Sequence, residues 1–392
     1  MAVAITSVGA VTGHGLGCGR LLEAVLAGRT AIQKVSRFSC EGLCSSLAAE
    51  APGDVELVEA AAGLGQAPAA DRSSRLLLAA ASEALRGQSR PPSRRRAVLV
   101  GTTKGALELA LERWASGEVP GDDILGAPAR ALALATGSRG PVLTLSAACA
   151  SSAVAIGEAL ALIGDGTCDE AIVGGTEALH AFVHRGFHAL KAISASPAAP
   201  FDARRSGLSL GEGAAVLVLE SLENAEREGR APIAIVEGFG SSTDGFDQLT
   251  PEPTGAGLVR ACRRAMEQAG IDAKAIDRYH AHGTATVHND RMEAMAHAAL
   301  FSGRAVPVCA AKGSIGHTLG AAGALDVAIC ALTLRQRVLP PVANLRELDA
   351  LARIPAVIGT ARPDGGTSAL VVSAGFGGIN AALLLRRPEA IQ

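Results

Sequence analysis

With 392 residues, 48% of them hydrophobic and 19% charged, the chain can bury a large core, either as one domain or as two fused halves. A net charge of −2 argues against nucleic acid as a partner, and basic clusters such as Arg94-Arg95-Arg96 are expected on a solvated face. No apolar run is long enough to cross a bilayer and the start lacks a basic leader, so a cytoplasmic protein without membrane contact is expected.

In chain order, positions 3–8 read as an apolar strand, followed by a Gly-rich turn and a helix near 21–26. A helix is expected over 73–85, a strand over 97–100 ending at Gly101, and a helix over 105–115 carrying the single Trp, Trp114. A β-prone run at 142–145 then meets a small-residue turn and an Ala-rich segment that is apolar on every face, as a fully buried helix is. The strand at 171–173 is expected to stop at Gly174-Gly175, with a helix over 220–230. A second set follows: strand 233–236, helix 257–269, strand 278–281 ending at His282, then a strand from 306, a small-residue turn and an Ala-rich helix to Leu334. Short apolar strands alternating with helices predict a parallel sheet covered by helices. The two Ala-rich segments echo each other, because Glu158 stands nine residues after Cys149 and Asp326 nine after His317. Two related halves, 1–230 and 231–392, are therefore expected, with both helix N-termini aimed at one centre so that Cys149 meets His317.

Cys149 stands where the first Ala-rich helix should begin. Unpaired N–H groups and the positive end of the helix dipole gather there, so its thiol is expected to ionise more easily than a free Cys and to act as a nucleophile. Taken alone, a buried core Cys is the commoner reading of such a residue. Its seven companions, at 18, 40, 44, 168, 262, 309 and 330, are too scattered for a disulfide framework, and reduced thiols are expected. Cys40 and Cys44 lack a second pair of ligands, and no metal is expected. His180, His184 and His188 form a stripe interrupted by Gly186 and read as core or pocket lining.

Three further stretches surround the Cys with a constellation. His282-Gly-Thr-Ala-Thr286 follows a strand, where the imidazole would sit at a sheet edge; Lys312-Gly-Ser-Ile-Gly-His317 precedes the second buried helix; and Gly375-Phe-Gly-Gly-Ile-Asn380 follows a strand over 369–373. The three glycines of the last stretch let backbone N–H groups approach a ligand. Acyl transfer from a thioester needs a thiolate, donors to a developing oxyanion and a cation-rich site for loss of a carboxylate, and the chain offers one of each.

These motifs, with Ser-Ala-Ala-Cys149-Ala-Ser-Ser, Leu319-Gly-Ala-Ala-Gly323 and Phe201-Asp-Ala-Arg-Arg205 leading to Gly211-Glu-Gly213, resemble those of the elongating β-ketoacyl-acyl-carrier-protein synthases. The resemblance runs over nearly the whole chain, in the family's order. It implies an α/β fold, the thiolase fold, with two similar βα halves stacked in five layers. By the same resemblance Cys149 carries the acyl chain, His282 and His317 assist decarboxylation of malonyl-carrier protein, and the N–H groups of Cys149 and Phe376 form the oxyanion hole. Lys312 orients the site electrostatically, with Asp326 in place of the family's Glu and Glu158 as its counterpart in the other half. Thr284, Thr286, Phe187, Ala374, Gly375, Gly377 and Gly378 are implied to contact the phosphopantetheine arm or the acyl chain, and Arg72, Arg75, Arg204 and Arg205 to dock acyl carrier protein. No cofactor is implied beyond the phosphopantetheine that carries the substrates. A dimer is implied, homotypic or with a chain-length-type homologue.

Several positions depart from the family's pattern. Asp326 is one methylene shorter than Glu, so its pairing with Lys312 is expected to be looser or bridged by water. Ala374 replaces a Phe two residues before the Phe376 gate, and Ala285 and Val287 replace a small polar residue and Pro. With the chain shortened ahead of Cys149 and the Gly186-Phe-His-Ala-Leu-Lys191 stretch, these features are similar to ketosynthases of reducing polyketide or aryl-polyene pathways. Within the fold, the thiolase branch would need a second catalytic Cys, and the initiating enzymes pair Cys with His and Asn; here Cys149 stands with two His. A non-catalytic chain-length subunit would usually lack Cys149.

Overall fold

The computed structural model describes residues 2–65, 69–88, 93, 95–121 and 123–388. Five strands in the first part of the chain, β1 (Val3–Thr12), β2 (Arg96–Gly101), β3 (Val142–Leu145), β4 (Glu170–Glu177) and β5 (Gly213–Ser221), line up in the order β3-β2-β4-β5-β1. Five more, β6 (Ala234–Thr243), β7 (Arg278–His280), β8 (Val308–Cys309), β9 (Ser368–Gly375) and β10 (Ile379–Arg386), line up as β8-β7-β9-β10-β6. Each set therefore runs third, second, fourth, fifth, first. The two sets meet where β1 and β6 pair antiparallel, Val3 opposite Val236.

The sheets are mixed, where the sequence predicts parallel ones. In each set the second strand is parallel to the third and fourth, while the fifth is antiparallel to the fourth and to the first. The antiparallel strand β5 was hidden in sequence because helices pack on both of its faces, Arg72–Ala84 on one and Ser151–Gly164 with Ala322–Arg335 on the other, and a strand covered on both faces reads as a continuous apolar run without alternation. Helix is correspondingly shorter there than the expected 220–230, covering only Leu222–Arg227.

On the outer face of the first sheet lie α1 (Arg72–Ala84) and α2 (Asp123–Thr136). Asp71 caps α1, accepting from the Ser74 N–H at 2.8 Å and its hydroxyl at 2.6 Å, a cap worth about 1 kcal/mol. Helix α3 (Ser151–Gly164) crosses to the inner face, and α4 (Ala181–Ala189) leaves the end of β4. The second sheet carries α5 (Ala256–Gln268) on its outer face, with α6 (Val287–Phe301) against it. A single turn, α7 (Lys312–Ile315), leads to α8 (Ala322–Arg335), which lies beside α3 between the two sheets. The layers are thus helix, sheet, helix, sheet, helix: the five-layer thiolase fold. Its largest apolar cluster is the middle layer, where Ile156, Ala159 and Leu160 of α3 and Leu325, Ala328 and Ile329 of α8 meet both sheets.

Small residues in α3 and α8 exist for this close crossing. A Cβ on Gly323 would stand 2.5 Å from the Ala153 nitrogen, and the Ala324 N–H donates to Ser152 Oγ at 2.8 Å. The pair Gly174-Gly175, expected to end a strand, lies inside β4 for a related reason. A Cβ on Gly174 would come 2.7 Å from Leu77 of α1, and one on Gly175 would come 2.6 Å from Ser152 of α3. The basic cluster is divided as well. Arg95 is exposed and pairs with Asp169, Arg96 is buried and pairs with Glu170 rather than facing water, and Arg94 lies outside the described residues.

Candidate active site

Cys149 follows β3 on a sharp turn, and α3 begins two residues later. The turn needs Ala148 in the left-handed region, at φ 49°, which costs a residue with a Cβ roughly 1–2 kcal/mol. Ser151 holds it there, its Oγ accepting from the Ala147 N–H at 2.9 Å and donating to the Ala148 carbonyl at 2.6 Å. Gly375, at the end of β9, stands against this turn. A Cβ there would lie 3.0 Å from the Ala148 methyl and 3.1 Å from the Cys149 nitrogen. One residue on, the Phe376 N–H is directed at the Cys149 sulfur. The backbone of Gly375 and Phe376 is thus packed against the turn that carries Cys149.

The second half brings in the imidazoles. His317 Nε2 lies 3.1 Å from Cys149 Sγ, and the His282 ring stands edge-on to His317 with centroids 5.3 Å apart. Both rings are buried, at 2% exposure, and burial holds both below the ordinary imidazole pKa. His317 is pushed down to about 3 and His282 well below its usual value, with the Lys312 ammonium adding to the effect in each case. Burial therefore favours the neutral form of both rings. Lys312 is neutralised by Asp326, Nζ to Oδ2 at 2.9 Å, while the other carboxylate oxygen meets His280 Nε2 at 3.2 Å. Burial alone would raise Asp326, but Lys312 and His280 together hold it below the usual carboxylate range.

A pocket of about 400 Å³ opens onto the thiol and both imidazoles. Thr284 and Thr286, hydroxyl to hydroxyl at 2.9 Å, line it with Ala374, Gly375 and Gly378. Phe187 of α4 stacks on Phe376, centroids 5.8 Å apart, so the Phe376 ring at the pocket is braced from the first half. Gly377 does not line the pocket; its N–H donates to the Gln248 carbonyl at 2.8 Å and turns the loop.

Residues 1–225 match the family model for the β-ketoacyl synthase N-terminal domain, and residues 233–346 match the one for the C-terminal domain. The chain belongs to the β-ketoacyl synthase family. The synthase is 34% identical to the tetracenomycin polyketide synthase ketoacyl synthase alpha subunit of Streptomyces glaucescens, over 99% of this chain and 97% of that one. It is also 34% identical to the 3-oxoacyl-[acyl-carrier-protein] synthase 2 of Rhizobium meliloti, over 98% of each chain. Among solved structures, the ishigamide ketosynthase/chain length factor superposes with a TM-score of 0.91 at 29% identity, covering 98% of each chain.

Four expectations for the synthase need correction. First, Cys149 does not ionise easily in the free protein: burial pushes its thiol up to about 11, outweighing the nearby Lys104 and Lys312. Second, His282 lies beyond the end of β7, which is flanked by β8 and β9, so the ring is enclosed rather than at a sheet edge. Third, Asp326 pairs with Lys312 directly and needs no bridging water, whereas Glu158 faces solvent and has no such role. Fourth, two of the proposed docking arginines are core ion pairs. Arg72 is 1% exposed and bound to Glu212 at 2.6 Å and Asp54 at 2.7 Å; Arg205, equally buried, pairs with Asp290 at 3.2 Å and Asp349 at 2.9 Å. Arg75 is tied to Asp54 and to the carbonyls of Ala69 and Ala70, which leaves Arg204 as the exposed one of the four.

The histidine stripe separates by position. His180 caps α4 through the Phe182 N–H, His184 is fully buried, and His188 is half-buried with Nδ1 3.2 Å from Cys44 Sγ. Sequence reasoning missed the carboxylates behind His282. Glu293 accepts from the His282 and Gly283 N–H groups at 2.8 and 2.6 Å, and Asp290 accepts from the Ala285 N–H at 3.2 Å. Burial raises Glu293 to about 7 and Asp290 to about 6. Their signal was available: two acids one turn apart, at the start of the helix that follows the His282 motif.

Proposed function

We propose that this chain is the catalytic ketosynthase that joins malonyl-acyl carrier protein to an acyl chain held on Cys149. The observation that carries the reading is the contact of Cys149 Sγ with His317 Nε2 at 3.1 Å, beneath the Phe376 N–H and beside His282. In the first step the sulfur attacks the thioester carbonyl while its proton passes to His317, the N–H groups of Cys149 and Phe376 take the oxyanion, and His317 returns that proton to the phosphopantetheine sulfur, which leaves as the thiol. In the second, malonyl-carrier protein loses carbon dioxide and its enolate oxygen is held by the neutral His282 and His317. The carbanion then attacks the acyl carbonyl, and Cys149 is released as the β-ketoacyl-carrier protein forms.

The chemistry needs no cofactor beyond the phosphopantetheine arm, and we place it in the cytoplasm. Among the described residues no helix is long and apolar enough to cross a membrane. The halves are divided near residue 230. A dimer is supported by β3, which pairs only with β2 among the described strands, and by the exposed apolar side chains Val142, Leu134 and Trp114 of the same half. The partner is a second copy or a chain-length-type homologue, as in the ketosynthase/chain length factor that this chain resembles. Presence of the nucleophile favours the catalytic role over the chain-length role. Ala374 widens the space beside Phe376, and on that ground conjugated acyl chains are assigned as substrates. Incubating Cys149→Ala with acyl-acyl carrier protein and measuring intact mass tests the reading. No acyl adduct should form, and an adduct on the variant would overturn it.

A further inference from the structure

The charges around Cys149 come from both halves. From the second come His317, in contact with the sulfur, His282 beyond it, and Lys312 backed by Asp326 and His280. From the first come Lys104 and Glu177, which none of the motifs above includes. Their position follows from the fold. His282 stands two residues beyond the end of the second strand of its set, and Thr103 stands two residues beyond the end of the second strand of the other. The arrangement that aims one loop at the site therefore brings the corresponding loop of the other half toward it as well.

The contacts agree. A Cβ on Gly101 would stand 2.3 Å from the Ser152 nitrogen, so β2 ends against the first turn of α3, just after the nucleophile. Glu177 at the end of β4, 1% exposed, accepts from the Thr103 N–H at 2.9 Å, the Thr103 hydroxyl at 2.6 Å and the Gly320 N–H at 3.0 Å. Gly320 lies three residues after His317, so one carboxylate ties the 102–104 loop to the turn that carries the imidazole. Lys104 donates to the Thr103 hydroxyl, and its ammonium lies 3.6 Å from the other Glu177 oxygen.

We propose that Lys104, held by Glu177 beside the turn after His317, is a positioning residue that favours loss of the Cys149 proton. Among the charges acting on the thiol, Lys104 is the strongest that favours the thiolate, ahead of Lys312, and Glu177 opposes it. Burial alone leaves the thiol protonated, and the lysine shortens the climb to the attacking form. The proposal rests on the reading of Cys149 as the nucleophile.

Iodoacetamide alkylation of Cys149 at pH 8, located by peptide mass mapping, reads the thiolate without needing condensation. Lys104→Met should alkylate about 3–10-fold more slowly, since one pKa unit is tenfold in thiolate below the midpoint. Lys104→Arg should stay within about twofold of the parent, and Glu177→Gln, which keeps a carbonyl acceptor for Gly320, should alkylate faster. Lys104→Gln is read in place of Lys104→Met if that chain folds poorly. Parent-like rates in the neutral variants with unchanged circular dichroism would overturn the proposal. So would equal slowing in Lys104→Arg, or failure of both neutral variants to fold, because each assigns Lys104 to packing. None of these results bears on whether Cys149 takes the acyl chain, which the Cys149→Ala mass measurement decides separately.

Discussion

The ion pair of Lys312 and Asp326 gives the most direct test of the energetics. Both side chains are about 1% exposed, and the carboxylate is shared between Lys312 at 2.9 Å and His280 at 3.2 Å. Removing one partner leaves a buried charge without compensation, which costs about 3–5 kcal/mol. Asp326→Asn and Lys312→Met should each lose that much stability. The double variant, which buries no orphan charge, should lose about 2–3 kcal/mol less than the sum of the two. The pH dependence has a definite sign. The folded Asp326 carboxyl is held below its ordinary range, so the pair contributes fully above about pH 4, the unfolded value, and is lost as pH falls through the folded value. The gap between the parent and Asp326→Asn should therefore be full at pH 7 and close in acid. Urea unfolding at fixed protein concentration, repeated from pH 7 downward, measures both quantities. Singles that add within about 0.5 kcal/mol, or a gap that stays open in acid, would refute the reasoning. Asp326→Glu restores the family's residue yet inserts a methylene where the shorter side chain already reaches, and should cost about 1–3 kcal/mol.

Replacing His282 or His317 by Ala should lower condensation by about 100-fold or more with circular dichroism unchanged, as removal of an oxyanion donor does; a near-normal rate in either variant removes that ring from the mechanism. Because burial raises the Cys149 thiol, its alkylation rate should climb about tenfold per pH unit from 7 to 10, and a plateau with a midpoint near 8.5, that of free Cys, would contradict the burial argument. Ala374→Phe should shift competition between conjugated and saturated acyl-carrier proteins toward saturated chains by about 1–3 kcal/mol; an unchanged ratio would show that this position does not select.

The backbone of the site was legible because its elements are local. The strand at 142–145 is found where the sequence places it, and the matched Ala-rich segments brought Cys149 to His317. What sequence could not show is which distant group each charge meets. Arg72 looks like any surface arginine until Glu212, 140 residues away, is folded against it. Arg205 likewise meets Asp290 across a fold that its neighbours in sequence do not announce. The thiol failed for the same reason. A helix start is a local feature and predicts easier ionisation, whereas the burial that outweighs it is assembled from segments distant in sequence, with Leu179, Val183, Leu208 and Leu319 among them. Mixed sheets also escape a one-dimensional reading, since the direction of β5 is set by β1 and β4 on either side.

Duplication of one βα arrangement explains why the site has two unlike members. Cys149 follows the third strand of its set and His317 follows the third strand of the other, so the repeat delivers two helix approaches to one point and leaves their side chains free to diverge. Identical residues there would set thiol against thiol or imidazole against imidazole; the pair present can pass a proton. Burial holds the thiol up near 11 and His317 down near 3, so the resting pair is neutral on both sides. In the proposed mechanism charge therefore arises only during attack, as the proton leaves sulfur for Nε2 and negative charge moves to the carbonyl oxygen. The N–H groups proposed to take that oxygen, those of Cys149 and Phe376, would interact with it far more strongly at a buried site than in water. The desolvation that makes Cys149 a weak acid at rest is thus the same desolvation that strengthens the oxyanion site. Opening the enclosure to water should lower the thiol pKa and slow acylation together, which is the opposite of what a resting-thiolate mechanism requires.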